Sequence, residues 1–364
     1  MVLVLGVSAG AGGARAVLTH SDQPHLPPVD RLRLPRRAGG SVDEAVLSVI
    51  RRMRVAALAR GECVTATAVT CRSEAHADAI RAAIGRSEVG IVDEPLAQLR
   101  YLRFTGMLPD CESVILYDLG CSGLTVTHAD CRTDTILASR RSTVLSGDGY
   151  DALLRWQLAR GGVLADARTT RAHRESLSRA RVVTATDADT GGRAVVTRSD
   201  LAELCEAGLH HSASFVRQLV EETGVRPGAL VLLGGCTRNP SLRADLAQRI
   251  GLPIVYDPEP DYVSARGAVL LAAQRPPARL RMPRLRAGSA VVARETRPRP
   301  GRRKLIAAMA VTATLGGTVA GLLGTDDPSG GGPPPPPPRP APQRPGRVLR
   351  GELECLFVFD VGRR

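Results

Sequence analysis

Glycine turns that follow apolar strands are the residues of this sequence best suited to bind a nucleotide. Five apolar residues at 229–233 predict a strand buried on both faces, and Gly234 and Gly235 then let the backbone turn tightly and approach a ligand. Pro240 suits the first turn of a helix predicted at 241–250, because that turn leaves an amide hydrogen unpaired and proline has none. A strand, a glycine turn and a helix N-terminus together form a nucleotide-binding arrangement. The alternative is a plain connection between a strand and a helix.

A second strand and glycine turn adds a carboxylate. Asp118 ends an apolar run, and Gly120 follows it. An aspartate in this position can hold a magnesium-bound water at a phosphate, while the amides of the turn hold the phosphate oxygens. Residues 2–13 repeat the pattern of strand and turn, with Ser8 and Gly10 at its end, so we predict two related halves.

The elements around these turns alternate between strands and helices, which predicts a mixed α/β fold. The pattern predicts helices at 41–60, 73–84, 94–104, 168–181, 199–223 and 261–273, and strands at 14–19, 64–69, 89–92, 124–127, 195–197 and 253–256. Ser41 and Glu44 form a capping-box pattern at the first helix, and Ser73 is the predicted cap of the second. Gly147 lies in a turn that leads into a further helix.

The charge of the chain is concentrated in one segment. The net charge is +13 over 364 residues, but residues 275–304 alone hold eleven basic residues against one glutamate. The basicity is therefore local, and we predict no nucleic-acid partner. Lys304 is the only lysine, so no lysine is available to a site in residues 1–303. None of the eight cysteines forms a C-x-x-C pair, so neither a zinc site nor a redox dithiol is indicated.

The C-terminal quarter predicts a membrane anchor. Residues 275–304 are rich in arginine and proline and predict a basic disordered linker, whereas residues 305–325 carry no charge and are long enough to cross a bilayer core of ~30 Å. A buried soluble helix is the alternative. The proline-rich tail is residues 326–364. Basic residues before the span predict a single-pass protein of the inner or cell membrane whose N-terminal domain is cytoplasmic.

Small residues in the predicted span suggest a homodimer. Gly317 and Gly321 lie four residues apart, a spacing that lets two membrane helices approach closely. The alternative is that glycine is simply frequent in this chain.

Five motifs in fixed order resemble the nucleotide-binding domain of the heat shock protein 70 family, within the actin-like ATPase superfamily. They are VDEPLAQLRYL at 92–102, YDLGCSG at 117–123, SGDGYDALL at 146–154, LLGGCTRNP at 232–240 and EPDYVSARGA at 259–268. The resemblance covers residues 1–273 and implies, for a domain at 1–274, two lobes around a nucleotide cleft.

The resemblance also implies a ligand and its residues. The ligand would be ATP or ADP with Mg²⁺, and Asp118 and Glu94 would order the metal and the attacking water, with Asp118 as the metal ligand. Arg238 would pack against the base. The other implied nucleotide-binding residues are Ser8, Gly10, Gly120, Ser122, Gly147, Gly234, Gly235 and Asp261. Without the resemblance, Arg238 could equally be a surface residue, and Glu94 an acidic residue at a helix N-terminus.

Departures from the family pattern weaken the phosphate end of this site. Ser8 and Thr125 stand where the family has aspartates, and the catalytic lysine of the family has no equivalent. We therefore predict a membrane-anchored, chaperone-related ATP-binding protein that is at most a slow ATPase. It would act by nucleotide-dependent conformational switching on an unidentified protein partner. The alternatives are a catalytically dead actin-like scaffold for cell-envelope assembly and a kinase of the same superfamily.

Overall fold

Two five-stranded mixed sheets form the framework of the computed structural model, which describes residues 2–85 and 89–274. The strands are β1 (Leu3–Gly10), β2 (Gly13–His20), β3 (Asp30–Pro35), β4 (Val64–Cys71), β5 (Val89–Asp93), β6 (Ser113–Leu119), β7 (Leu124–Asp130), β8 (Thr135–Ser142), β9 (Val182–Thr186), β10 (Arg193–Thr197), β11 (Ala229–Leu233) and β12 (Ile254–Tyr256). The helices are α1 (Val42–Ala59), α2 (Glu74–Ile84), α3 (Glu94–Phe104), α4 (Gly147–Arg160), α5 (Ala167–Leu177), α6 (Arg198–Thr223), α7 (Pro240–Ile250) and α8 (Val263–Ala273).

The two large sheets have the same topology. The first has the order β3-β2-β1-β4-β5, and the second has the order β8-β7-β6-β11-β12 when read in the matching direction. In each sheet three antiparallel strands are followed by two strands that run parallel to the central one. This repetition agrees with the two related halves predicted from the glycine turns.

Side-chain caps start the helices close to the positions that the sequence predicts. The Ser41 hydroxyl accepts a hydrogen bond from the Glu44 amide, and the Ser73 hydroxyl accepts one from the His76 amide. Such caps satisfy amide groups that the first helical turn leaves without partners. Helix α3 begins at Glu94 and ends at Phe104, as predicted.

Each sheet has its own hydrophobic core, built mainly from aliphatic side chains. In the first half, β1 and β2 pack against α1, and in the second half β6 and β11 pack against α4 and α6. Tyr117 is fully buried in the second core, where its hydroxyl donates a hydrogen bond of 2.8 Å to Ser212. A buried phenol requires such a partner.

Helices α3 and α8 connect the halves, because each packs against the sheet of the other half. Helix α3 follows the first sheet but packs on strands β6 and β11 of the second, and α8 follows the second sheet but packs on β1 and β4 of the first. The two helices cross in contact, because a Cβ atom at Gly267 would lie 1.8 Å from the carbonyl oxygen of Ala97. Only glycine allows backbones to approach this closely.

The end of one helix was predicted wrongly, and strands β8 and β9 were missed. The helix predicted at 168–181 ends at Leu177, and the β-branched pair that opens β9 follows it. Strand β8 was not predicted, because it lies at a sheet edge with most of its side chains exposed, which leaves little apolar pattern in the sequence.

The predicted membrane span at 305–325 lies outside the described residues, as do the basic linker and the proline-rich tail. Within residues 2–85 and 89–274, no helix is both long and apolar enough to cross a membrane.

Candidate functional site

Three glycine turns meet between the two halves. The turn after β1 contacts the turn after β6, since a Cβ atom at Gly12 would lie 3.2 Å from Cβ of Cys121. The third turn follows β11, where Gly234 has a φ of +82°. A Cβ atom at Gly234 would lie 2.5 Å from Oδ1 of Asp118, so a larger residue cannot take this position. Asp118 and Gly234, which the family resemblance assigns to one nucleotide cleft, thus lie side by side.

The turns line a cleft of about 830 Å³, which is large enough for a nucleotide-sized ligand. Nine predicted site residues line it: Ser8, Gly10, Glu94, Asp118, Gly120, Gly234, Gly235, Arg238 and Asp261. Ser122 and Gly147 do not. Ser122 accepts a hydrogen bond of 2.8 Å from Arg141, and the Gly147 amide donates one of 3.0 Å to the Gly120 carbonyl. These two residues therefore contact the turn after β6 or its neighbours without lining the cleft.

Side chains of the crossing helices link Asp118 to Glu94, since Ser264 hydrogen-bonds the Glu94 carboxyl group and also contacts Gln98. Gln98 donates hydrogen bonds to Asp118 Oδ2 at 3.1 Å and to the Ser264 hydroxyl at 3.0 Å. Glu94 begins α3 and is 7% exposed. Burial raises the pKa of Glu94 to about 7, although the nearby Arg72 guanidinium opposes this shift. A carboxyl group with such a pKa can accept a proton from water near neutral pH.

The carboxylates of the cleft do not form a metal-binding cage of their own, and they already have partners in the protein. Glu94 pairs with Arg72, with 3.2 Å between Oε2 and Nε, and Asp118 accepts its hydrogen bond from Gln98. Residues 2–85 and 89–274 contain no group of three His, Cys, Asp or Glu side chains that could hold a metal ion. Magnesium prefers oxygen ligands in near-octahedral geometry, and a guanidinium already occupies one of the two candidate carboxylates.

Arg72 is a functional candidate that the sequence reasoning missed. It is the first residue after β4 and lines the cleft. Its guanidinium lies between two turns: a Cβ atom at Gly10 would be 3.3 Å from Nη2, and one at Gly120 would be 4.0 Å from Nη1. Ligands often bind at the carboxyl ends of parallel strands, and this rule could have identified Arg72.

Asp261 lies in the cleft wall as predicted, between two arginines. It accepts hydrogen bonds from Arg15 Nε at 2.8 Å and from Arg238 Nη2 at 2.5 Å. Arg238 therefore has a partner in the protein, and this partner fixes one end of its guanidinium at the cleft. The predicted packing of Arg238 on a base stays a prediction.

Arginines also dominate the side of the cleft formed by α5. Arg174 is buried and donates to Asp151 at 2.6 Å, and Arg171 contacts the same carboxylate at 3.2 Å. Arg33 of β3 pairs with Glu175 of α5, with 3.0 Å between Nη2 and Oε1, and both side chains are more than 40% exposed. This exposed pair joins the two halves and contributes little stability.

The chain is similar in sequence to chaperone proteins named HscA. It is 27% identical over 271 residues to the chaperone protein HscA homolog of Pseudomonas putida, which covers 68% of this chain and 42% of that protein. It is 29% identical over 172 residues to the chaperone protein HscA of Salmonella arizonae, which covers 44% of this chain and 28% of that protein. The chain thus spans less than half the length of these curated relatives. No known family model matches it.

A solved structure with a similar fold is the ethanolamine utilization protein EutJ from Carboxydothermus hydrogenoformans. The TM-score is 0.53 at 15% sequence identity, and the superposition covers 74% of this chain and 89% of EutJ. The mixed α/β fold with two five-stranded sheets matches the actin-like ATPase fold that the sequence motifs predict. The homology with HscA supports the predicted resemblance to the heat shock protein 70 family.

Proposed function

We propose that this protein binds an adenine nucleotide in the cleft between its two halves and changes conformation with the bound nucleotide. The observation that carries this proposal is the meeting of three glycine turns at one cleft, with the guanidinium of Arg72 between two of them. Turn amides and an arginine fork are the groups that recognise phosphate oxygens in proteins. Gly235, Arg238 and Asp261 form the opposite part of the cleft, where the nucleoside would lie.

Hydrolysis of the bound nucleotide is proposed to be slow or absent. Phosphoryl transfer depends on positioned positive charge and on a base that orients water. Glu94, the candidate base, is paired with Arg72, and Ser8 contributes no carboxylate to the first turn. Each ~1.4 kcal/mol of lost transition-state stabilisation slows the reaction tenfold. We therefore propose that nucleotide-dependent closure, transmitted to a protein partner, is the function, and that turnover is at most secondary.

Gly235→Leu tests the nucleotide site, because it should block the cleft without disturbing the fold. A Cβ atom at Gly235 would meet only ordinary contacts, at 3.9 Å from Arg15 Nη2 and from Cβ of Asp261, both in the cleft wall. We expect calorimetry on the purified full chain to detect ADP and ATP binding that Gly235→Leu weakens by more than about tenfold, through steric exclusion. Phosphate release from ATP should be barely above background.

The matched control is Ala79→Leu, which adds similar bulk on an exposed part of α2 and should leave binding unchanged. If the parent protein binds neither ADP nor ATP, the nucleotide proposal fails and the actin-like scaffold is favoured. Turnover at the rate of an ordinary chaperone ATPase would contradict the proposal of slow hydrolysis.

Membrane anchoring through residues 305–325 is also proposed, and it rests on the sequence alone. We expect the full chain to sediment with membranes and to resist extraction by high salt. A variant in which Leu315 and Val319 are both replaced by Arg should remain in the supernatant, because charged side chains at the centre of a membrane span are costly. Replacing both Gly317 and Gly321 by Ile should abolish self-association of the full chain if the span forms a homodimer. A parent protein found only in the supernatant would contradict the anchor.

A further inference from the structure

Arg72 is placed to contact phosphate groups directly. Its two terminal nitrogens face the glycine turns after β1 and β6, and neither makes a hydrogen bond to any residue in 2–85 or 89–274. Among the described residues, the inner nitrogen, Nε, alone has a partner, Oε2 of Glu94 at 3.2 Å. The outer edge of the guanidinium is therefore free to bind two oxygens of one phosphate, the arrangement that arginine prefers.

The surroundings keep this guanidinium charged and in place. Burial opposes its charge, but Glu94 and Asp118 outweigh burial and raise the pKa of Arg72. The side chain is 23% exposed and lines the cleft, so it is both accessible to a ligand and partly shielded from water. Electrostatic attraction to a phosphate is stronger in such a position than on an open surface.

Arg72 also lies beside the two carboxylates at which a divalent cation would be expected. A metal ion bound to phosphates needs carboxylate or water ligands nearby, and the two carboxylates at the turns are Glu94 and Asp118. Glu94 is neutralised by Arg72 itself, and Asp118 is held by Gln98. The positive charge that balances the phosphates is thus already part of the protein.

We propose that the Arg72 guanidinium replaces the divalent cation at this site, so that the adenine nucleotide binds without Mg²⁺. This inference rests on the proposed nucleotide binding and makes it more specific. Arg72 would thus supply positive charge at the phosphate end, where the catalytic lysine of the family has no equivalent.

The test compares ADP binding to the purified full chain in excess EDTA and in millimolar Mg²⁺. We expect the two dissociation constants of the parent protein to differ by less than about threefold, because Glu94 is paired with Arg72 and the guanidinium supplies the charge that the metal would otherwise bring. Arg72→Gln should weaken ADP binding in EDTA by about ten- to a hundredfold, the range expected when charged hydrogen bonds are lost. Arg72→Lys should keep part of the affinity, since it retains the charge but not the fork.

Arg51→Gln is the matched control: it removes the same charge from an exposed position on α1, and binding should not change. ADP binding that requires Mg²⁺, with a gain above about tenfold, would overturn the proposal and leave nucleotide binding intact. No ADP binding in either buffer would instead refute the proposed function itself. The comparison of buffers uses the parent protein, so it decides whether ADP binding needs Mg²⁺ even if Arg72→Gln does not fold, and Arg72→Lys then tests the side chain.

Discussion

Gly267→Ala should destabilise this protein by about 3 kcal/mol or more, because it forces a side chain into the crossing of α3 and α8. A Cβ atom at Gly267 would lie 1.8 Å from the carbonyl oxygen of Ala97 and 2.4 Å from its carbonyl carbon. These are backbone atoms of a packed helix and cannot move without separating the two helices. Urea denaturation of the full chain, followed by far-UV circular dichroism, measures the effect.

Gly208→Ala is the matched control, since Gly208 also lies within a helix. A Cβ atom there would lie 2.5 Å from Cδ1 of Leu145, which is the far end of a flexible side chain. The rearrangement of Leu145 is offset by the gain of about 1 kcal/mol when alanine replaces glycine in a helix. We expect a net change below about 1 kcal/mol. Equal losses of stability in the two variants would contradict the close-crossing explanation.

The crossing also fixes the functional site. Helix α3 carries Glu94 and Gln98, and α8 carries Ser264, which accepts a hydrogen bond from Gln98. The carboxylate side of the cleft is therefore built at the interface between these two helices. A variant that separates the helices should lose nucleotide binding along with stability.

The glycine turns could be predicted from sequence because their signal is local. An apolar strand, one or two glycines and a cap such as Ser73 lie within a dozen residues, and backbone geometry restricts what such a segment can form. The order of the turns and motifs along the chain then indicated which fold they belong to. Asp118 and Gly234 were expected to meet for this reason, and they do.

Arg72 could not be predicted in the same way. It is one of many arginines in the chain, and its role depends on Glu94, which approaches it from another element. The pairing of Arg238 with Asp261 likewise depends on how the third turn packs against the segment before α8. Contacts of this kind are set by tertiary packing, whereas composition and periodicity describe only the segment in which a residue lies.

Asp261→Asn should cost about 3 kcal/mol at pH 7, because it removes the charge that holds two arginines at the cleft. Asp261 is 5% exposed at its side chain and contacts Arg15 from the first half and Arg238 from the second. Burial alone would raise the pKa of Asp261, but the Arg15 and Arg238 guanidinium groups outweigh burial and lower it below its usual range.

The pH dependence of this effect has a definite sign. A carboxyl group whose pKa is lowered by folding stabilises the protein above its unfolded pKa of about 3.9, and that contribution is lost as the pH falls through the folded value. The difference between the parent protein and Asp261→Asn should therefore be constant from pH 7 to about 5 and should shrink below about 4. Urea unfolding of both proteins across this pH range measures the difference in stability.

The control is Asp22→Asn, at an exposed position, which should change stability by less than about 0.5 kcal/mol at every pH. If Asp261→Asn behaves like that control at pH 7, the carboxylate does not hold the two halves together.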